Sequence, residues 1–377
     1  MLMAPDRFAS QVAPPTRPVD YLAVVGTALI AGLLAWWVAT LPTSRPDFAI
    51  LWAAPQLPTP YDYSTVGRLL HWGIDDPPAT FVYPPSALPL FALFAEFEFA
   101  AALTGWAALS GAALALSSRS RWAPLLIFTP PVLWALPGGQ TSVMMGALAF
   151  CALQSLHRPR LGGVLLGVAL SVKPQLVFLI PVALLLTRQW QVLVTAILTF
   201  AIMTLCSAFL FGWEQWIVWL TFLPDYLLLH ENNPNLRSNE IAFGLAGWIR
   251  GLALIVGATL TWRAARHRDP VTVFVLATCT ALVVSPHAMG YEFAVLSPVY
   301  ARLMAGRGWS ASAILLLILT PFLVWAFGSA LLLYMPRLIA LVCLMAAIVA
   351  DRQSKLFDDF RFGGAARVRG NAPPTGQ

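Results

Sequence analysis

The sequence predicts an all-α, polytopic membrane protein of about twelve transmembrane helices, and three observations carry that reading. Of 377 residues, 59% are hydrophobic and only 11% are charged, with a mean hydropathy of +0.73. Apolar runs of membrane-crossing length recur along the chain, and arginines fall after every second run. A soluble domain carries roughly 25% charged and about 45–50% apolar residues. The composition therefore excludes a soluble enzyme, a disordered chain and a nucleic-acid binder, despite a net charge of +6.

Crossing about 30 Å of hydrocarbon at ~1.5 Å per residue takes about 20 residues, and fewer where a helix lines a cavity. The run 21–41 is longer than the ~7–15-residue core of a secretory signal, and more spans follow, so it reads as a retained first span. The apolar segment 84–99 holds Pro84, Pro85 and Pro89 before Glu96 and Glu98. It suits an interfacial helix or a kinked entry to the second span, 99–117. Spans 121–136, 140–156, 161–172, 174–187 and 190–211 follow, the middle pair cut short at Lys173-Pro174. After an outer loop at 212–239 come 240–262, 271–285, 290–304, 310–328 and 330–350.

Basic residues orient this arrangement. Arg119, Arg121, Arg158, Arg160, Arg188, Arg263, Arg266, Arg268, Arg302 and Arg307 share one side with both termini. That side holds 17 of the 23 basic residues and is the cytoplasm by the positive-inside rule. The expected plan is a cytoplasmic segment 1–20, one transmembrane domain 21–350, and a polar, disordered cytoplasmic tail 351–377. Cys151, Cys206, Cys279 and Cys343 lie in apolar runs without CxxC spacing and read as small buried hydrophobes.

Polar residues that need a reason collect on the outer side. Asp47 lies just beyond the first span, where a carboxylate facing a cleft suits a general base and one facing water is a solvated surface acid. Lys173 interrupts the apolar stretch 161–186. An ammonium at mid-helix costs roughly 2.5–3.5 kcal/mol on insertion scales, so it faces a cavity and a partner or snorkels from a helix end. Pro174 disfavours regular helix at Lys173, and an ammonium there suits a phosphate. His287, in the turn Ser285-Pro286-His287, is either a ligand to phosphate or sugar or a structural histidine. Glu292 begins a span and needs a partner, Lys173 or Arg237. Gly138-Gly139-Gln140 is a turn whose glutamine can read hydroxyls. Asn239 is a loop residue unless its loop covers a site. No metal-ligand pattern is present, and no cofactor is implied.

These residues, in this order, resemble glycosyltransferase family 87, a branch of the multi-spanning GT-C glycosyltransferases that includes polyprenol-phosphate-mannose-dependent mannosyltransferases. The pieces are Asp47-Phe48 with Ala53-Ala54, Pro60-Tyr61-Asp62, Phe81-Val82-Tyr83-Pro84-Pro85 and Gly139-Gln140-Thr141-Ser142. After them come Gly162 to Lys173-Pro174, Asn239 and Ser285-Pro286-His287, so the likeness covers about residues 40–300. The chain departs from the family's habit at Phe48-Ala49-Ile50-Leu51-Trp52, where tyrosines are common, and at Ser238-Asn239-Glu240.

The resemblance implies a GT-C-like fold with interfacial helices in the first outer loop. It implies an inverting transfer of a sugar, mannose by default, from a polyprenyl-phosphate donor to a lipid or glycan acceptor. The site would face the periplasm from a bacterial cytoplasmic membrane, in contact with the bilayer and without nucleic acid. On this reading Asp47 is the catalytic base, and Lys173 and His287 bind the donor phosphate. Tyr83, Gln140, Asn239, Tyr291 and Glu292 belong to the sugar and acceptor pocket. The competing reading is a lipid or solute transporter, or a lipid-binding membrane protein, with Lys173 and His287 as ligands.

Overall fold

The computed structural model describes residues 20–41, 46–70, 81–232, 247–266, 270–285 and 288–304. The expected spans 310–328 and 330–350, the tail 351–377, and the site candidates His287 and Asn239 lie outside them. The described residues form helices and short 3-10 turns, with no β-strand among them.

Among the described residues, three helices are long and apolar enough to cross a membrane: α1 (Tyr21–Thr40), α5 (Phe99–Ser118) and α12 (Trp190–Phe211). Between α1 and α5 lie α2 (Phe48–Ala53), α3 (Tyr63–Leu69) and α4 (Leu88–Ala95), the last preceded by a 3-10 turn, Pro85–Ala87. Asp20 starts α1 by accepting the Ala23 N–H at 3.1 Å, which answers one orphan donor of the first turn. The large side chains of α1 and α12 point outward, Leu22 being 85% and Phe209 89% exposed. Apolar groups outside and charged groups inside reverse the soluble pattern, as lipid solvent requires.

The expected span 121–136 is broken into α6 (Ala123–Leu126) and α7 (Pro130–Ala135). The paired prolines are the cause. Pro130 lacks an N–H and forces Thr129 into the extended region, at ψ 139°. Then follow α8 (Ser142–Gln154), α9 (Pro159–Val172), α10 (Pro174–Val177) and α11 (Leu179–Leu186), so the chain breaks at Lys173 where the sequence places the break.

The expected outer loop 212–239 instead contains a helix, α13 (Glu214–Asn232). Trp216, Trp219, Phe222 and Tyr226 recur at helical spacing and so share one face. That face packs on the first outer segment: Phe222 lies 5.8 Å from Tyr61, and the Trp219 indole donates to the Val82 carbonyl at 3.3 Å. Helices α14 (Gly247–Arg266) and α15 (Pro270–Val284) follow. The expected span 290–304 begins as a 3-10 stretch, Gly290–Leu296, and continues as α16 (Ser297–Met304).

Small residues let the helices approach closely. Gly163 and Gly167 of α9 face Thr195 and Thr199 of α12, Gly257 of α14 faces Thr280 of α15, and Gly146 of α8 meets the Val295 carbonyl. The last contact brings α8 against the 3-10 stretch that carries Glu292.

Candidate active site

Five separated pieces of chain meet at one site. Asp47 precedes α2 in a helical conformation, and its carboxylate makes no capping bond to that helix. It accepts instead from the Gln140 side-chain amide. The backbone reinforces this link, because Phe48 N–H donates to the Gly138 carbonyl at 3.1 Å. Gly139 sits at φ +70°, and a Cβ there would run into the Phe48 Cβ and the Leu103 side chain. Only glycine satisfies both the left-handed backbone and that approach. The turn closes with Gln140 N–H donating to the Ala135 carbonyl at 2.8 Å.

Lys173 has a non-helical backbone, at φ −143° and ψ 68°, between α9 and α10. Its ammonium donates to Glu292 Oε1, and Ser142 Oγ donates to Glu292 Oε2. Lys173 is 5% and Glu292 3% exposed, so each charge depends on the other. The ammonium also lies 5.2 Å from the Tyr83 ring centre and 5.9 Å from that of Tyr291, within reach of cation–π attraction. The Tyr83 hydroxyl shares a hydrogen bond of 3.2 Å with Thr141 Oγ1, and the Tyr291 ring meets Trp134 edge-on at 5.6 Å.

Tyr83 is held by its backbone. The Tyr61 hydroxyl donates to the Tyr83 carbonyl at 3.0 Å, and Ser207 Oγ donates to the Pro85 carbonyl at 2.7 Å. Ser86 Oγ in turn donates to the Ser171 carbonyl at 2.7 Å, one of the last carbonyls of α9 and lacking an intrahelical partner. Segment 81–87 is thus tied to the end of α9 just before Lys173 and to α12.

Asp47 is open to solvent, yet protein atoms crowd around it. Desolvation pushes its carboxyl up to about 6, with the Lys173 ammonium pulling it down and the Glu292 charge pushing it further up. Such a group is ionised at neutral pH and still basic enough to accept a proton.

Six of the eight site residues expected from sequence therefore assemble: Asp47, Tyr83, Gln140, Lys173, Tyr291 and Glu292. His287 and Asn239 lie outside the described residues. The expected pairing of Glu292 with Lys173 forms. Sequence reasoning gave no role to Thr141, Ser142 or Trp134. The first two immediately follow Gln140 and open α8, which was the available signal.

The model of glycosyltransferase family 87 matches residues 81–286, more than half of the chain. The chain belongs to glycosyltransferase family 87. The matched stretch, 81–286, holds Tyr83, Gln140 and Lys173, whereas Tyr291 and Glu292 lie just past its end and Asp47 lies well before its start. The family 87 chain is similar to a curated protein of Mycobacterium tuberculosis (strain ATCC 25618 / H37Rv). That relative is the polyprenol-phosphate-mannose-dependent alpha-(1-2)-phosphatidylinositol mannoside mannosyltransferase, 27% identical over 274 residues. The match spans 61% of this chain and 62% of the relative, less than two thirds of its length. No solved structure matches the chain.

Proposed function

We propose that this chain is an inverting membrane glycosyltransferase that moves a sugar from a polyprenyl-phosphate donor to a lipid or glycan hydroxyl. The observation that carries the reading is the convergence of a partly desolvated, basic carboxylate, Asp47, with a buried ammonium, Lys173, at one site. Inverting transfer needs a base on the acceptor side and a cation on the leaving-group side. Mannose is the proposed sugar because the mycobacterial relative's name specifies a polyprenol-phosphate-mannose donor.

In the proposed reaction the acceptor oxygen attacks the anomeric carbon as Asp47 takes its proton. The bond from that carbon to the donor's phosphate oxygen breaks, and the electron pair leaves with the polyprenyl phosphate. Lys173 stabilises the charge that develops there, with His287 as a second cation. Gln140 orients the Asp47 carboxylate, while Tyr83, Asn239 and Tyr291 shape the sugar and acceptor pocket.

The fold goes with this reading. We assign a GT-C-like bundle of about twelve spans, with residues 21–350 as one unit and both termini in the cytoplasm. The site would then open to the periplasm of a bacterial cytoplasmic membrane. Transfer of labelled mannose from polyprenyl-phosphate mannose in proteoliposomes tests the assignment, with host lipid and glycan as acceptors. Product with the wild type and none with Asp47→Asn is expected. Equal turnover by both proteins removes Asp47 from the mechanism.

A further inference from the structure

The cation assigned to the donor phosphate is already occupied. Lys173 donates to one oxygen of Glu292 and Ser142 to the other, and both charged groups are almost fully buried. An ammonium neutralised in this way offers little attraction to an arriving anion. With Asp47 ionised, the cluster of Asp47, Lys173 and Glu292 carries a net negative charge, which opposes a phosphodiester outright.

We propose that Glu292 is an internal stand-in for the donor's phosphate, and that the donor binds by exchanging with it on Lys173. The inference rests on the assignment of Lys173 to the donor phosphate. The geometry suits an exchange, because the two Glu292 oxygens have different partners. When the phosphodiester takes over the ammonium, the Ser142 hydroxyl keeps hold of the carboxylate. The rings of Tyr83 and Tyr291 flank the ammonium at 5.2 Å and 5.9 Å and attract it whichever anion it pairs with. The consequence is selection by charge: only a ligand bearing an anion able to compete with a carboxylate opens the pair. A neutral lipid or free sugar leaves it closed.

Binding of polyprenyl-phosphate mannose to full-length protein in nanodiscs tests this with four proteins. These are the wild type, Lys173→Ala, Glu292→Gln and Ser142→Ala, each compared for monodispersity and melting temperature. A hydrogen bond to a charged group is worth roughly tenfold or more in an equilibrium constant. Glu292→Gln removes the competitor and is expected to tighten donor binding about tenfold on that scale. The Ser142 bond to Glu292 is present before and after the exchange, so Ser142→Ala is a control in which donor binding is expected to stay within about twofold of the wild type. A clamp that merely positions Lys173 gives unchanged or weaker donor binding in Glu292→Gln, and either result overturns the exchange. If Glu292→Gln does not fold, Glu292→Ala, which also removes the competing charge, is read in its place with the same expected sign. Wild-type donor binding by Lys173→Ala would instead refute the underlying assignment of Lys173.

Discussion

The pH profile of transfer offers the sharpest test of Asp47 as a base, because the site sets both the position of the acid limb and what moves it. Desolvation by the surrounding protein pushes the Asp47 carboxyl up to about 6 from an ordinary 3.8. The base works only when ionised, so kcat/KM should be flat above that value and fall about tenfold per pH unit below it. At pH 5 about a tenth of the plateau remains. The Gln140 amide donates to the charged form of this carboxylate, and removing a donor from an ion raises its pKa. Because Asp47 is open to solvent, the low end of the range for such bonds applies, about 1.5 kcal/mol. That corresponds to about one pH unit. Gln140→Leu should therefore move the limb to about 7, whatever happens to the plateau. The assay is initial rate against pH in proteoliposomes at limiting donor, with vesicle integrity checked across the range. A wild-type limb near 4 would show that Asp47 is not desolvated. A limb unmoved in Gln140→Leu would show that the amide does not hold the carboxylate.

Three further outcomes follow from the same geometry. Gly139→Ala combines a left-handed backbone, costing about 1–2 kcal/mol, with a Cβ against Phe48 and Leu103 that overpacks by about 1–3 kcal/mol more. A fall of several degrees in the melting temperature, with loss of transfer, is expected, and an unaltered melting curve would contradict the packing. Gly167→Val should separate α9 from α12 at Thr199 and lower thermal stability in detergent more than the same change at Gly67, where a Cβ meets nothing. Lys173→Arg keeps the charge, but its wider fork does not replace a point charge between two rings. Partial activity with a raised donor KM is expected, against near-complete loss in Lys173→Ala.

The parts of the fold that were legible in the sequence are those a single run of residues decides. Helices α1 and α12 follow from uninterrupted apolar stretches, and the break at Lys173 follows from a charge beside a proline. Helix α13 was not legible by hydropathy, since Glu214, Gln215 and Asp225 dilute its apolar content. Its aromatic face matters only once Tyr61 and Val82 are there to receive it. The break at Thr129 was available from Pro130 and Pro131, but apolar content masked it. The site shows the same division. Asp47, Lys173 and Glu292 each look out of place locally, which marks them as candidates. The role of Ser142 is invisible until Gly146 brings α8 against the stretch carrying Glu292, because that contact is a property of two distant segments.

The segment from Phe81 to Ala87 carries a consequence for how this enzyme family could diversify. Its carbonyls at Val82, Tyr83 and Pro85 are gripped by Trp219, Tyr61 and Ser207, none of which is among the residues assigned to the reaction. The arrangement is a linkage with its levers on helices α12 and α13 and its working end at the Tyr83 ring. Evolution can therefore adjust the placement of the Tyr83 ring beside Lys173 from a distance, by trading a serine or an indole on an outer helix, while the acid, the amide and the ammonium stay as they are. A change in sugar preference would then appear as substitutions scattered over the periphery.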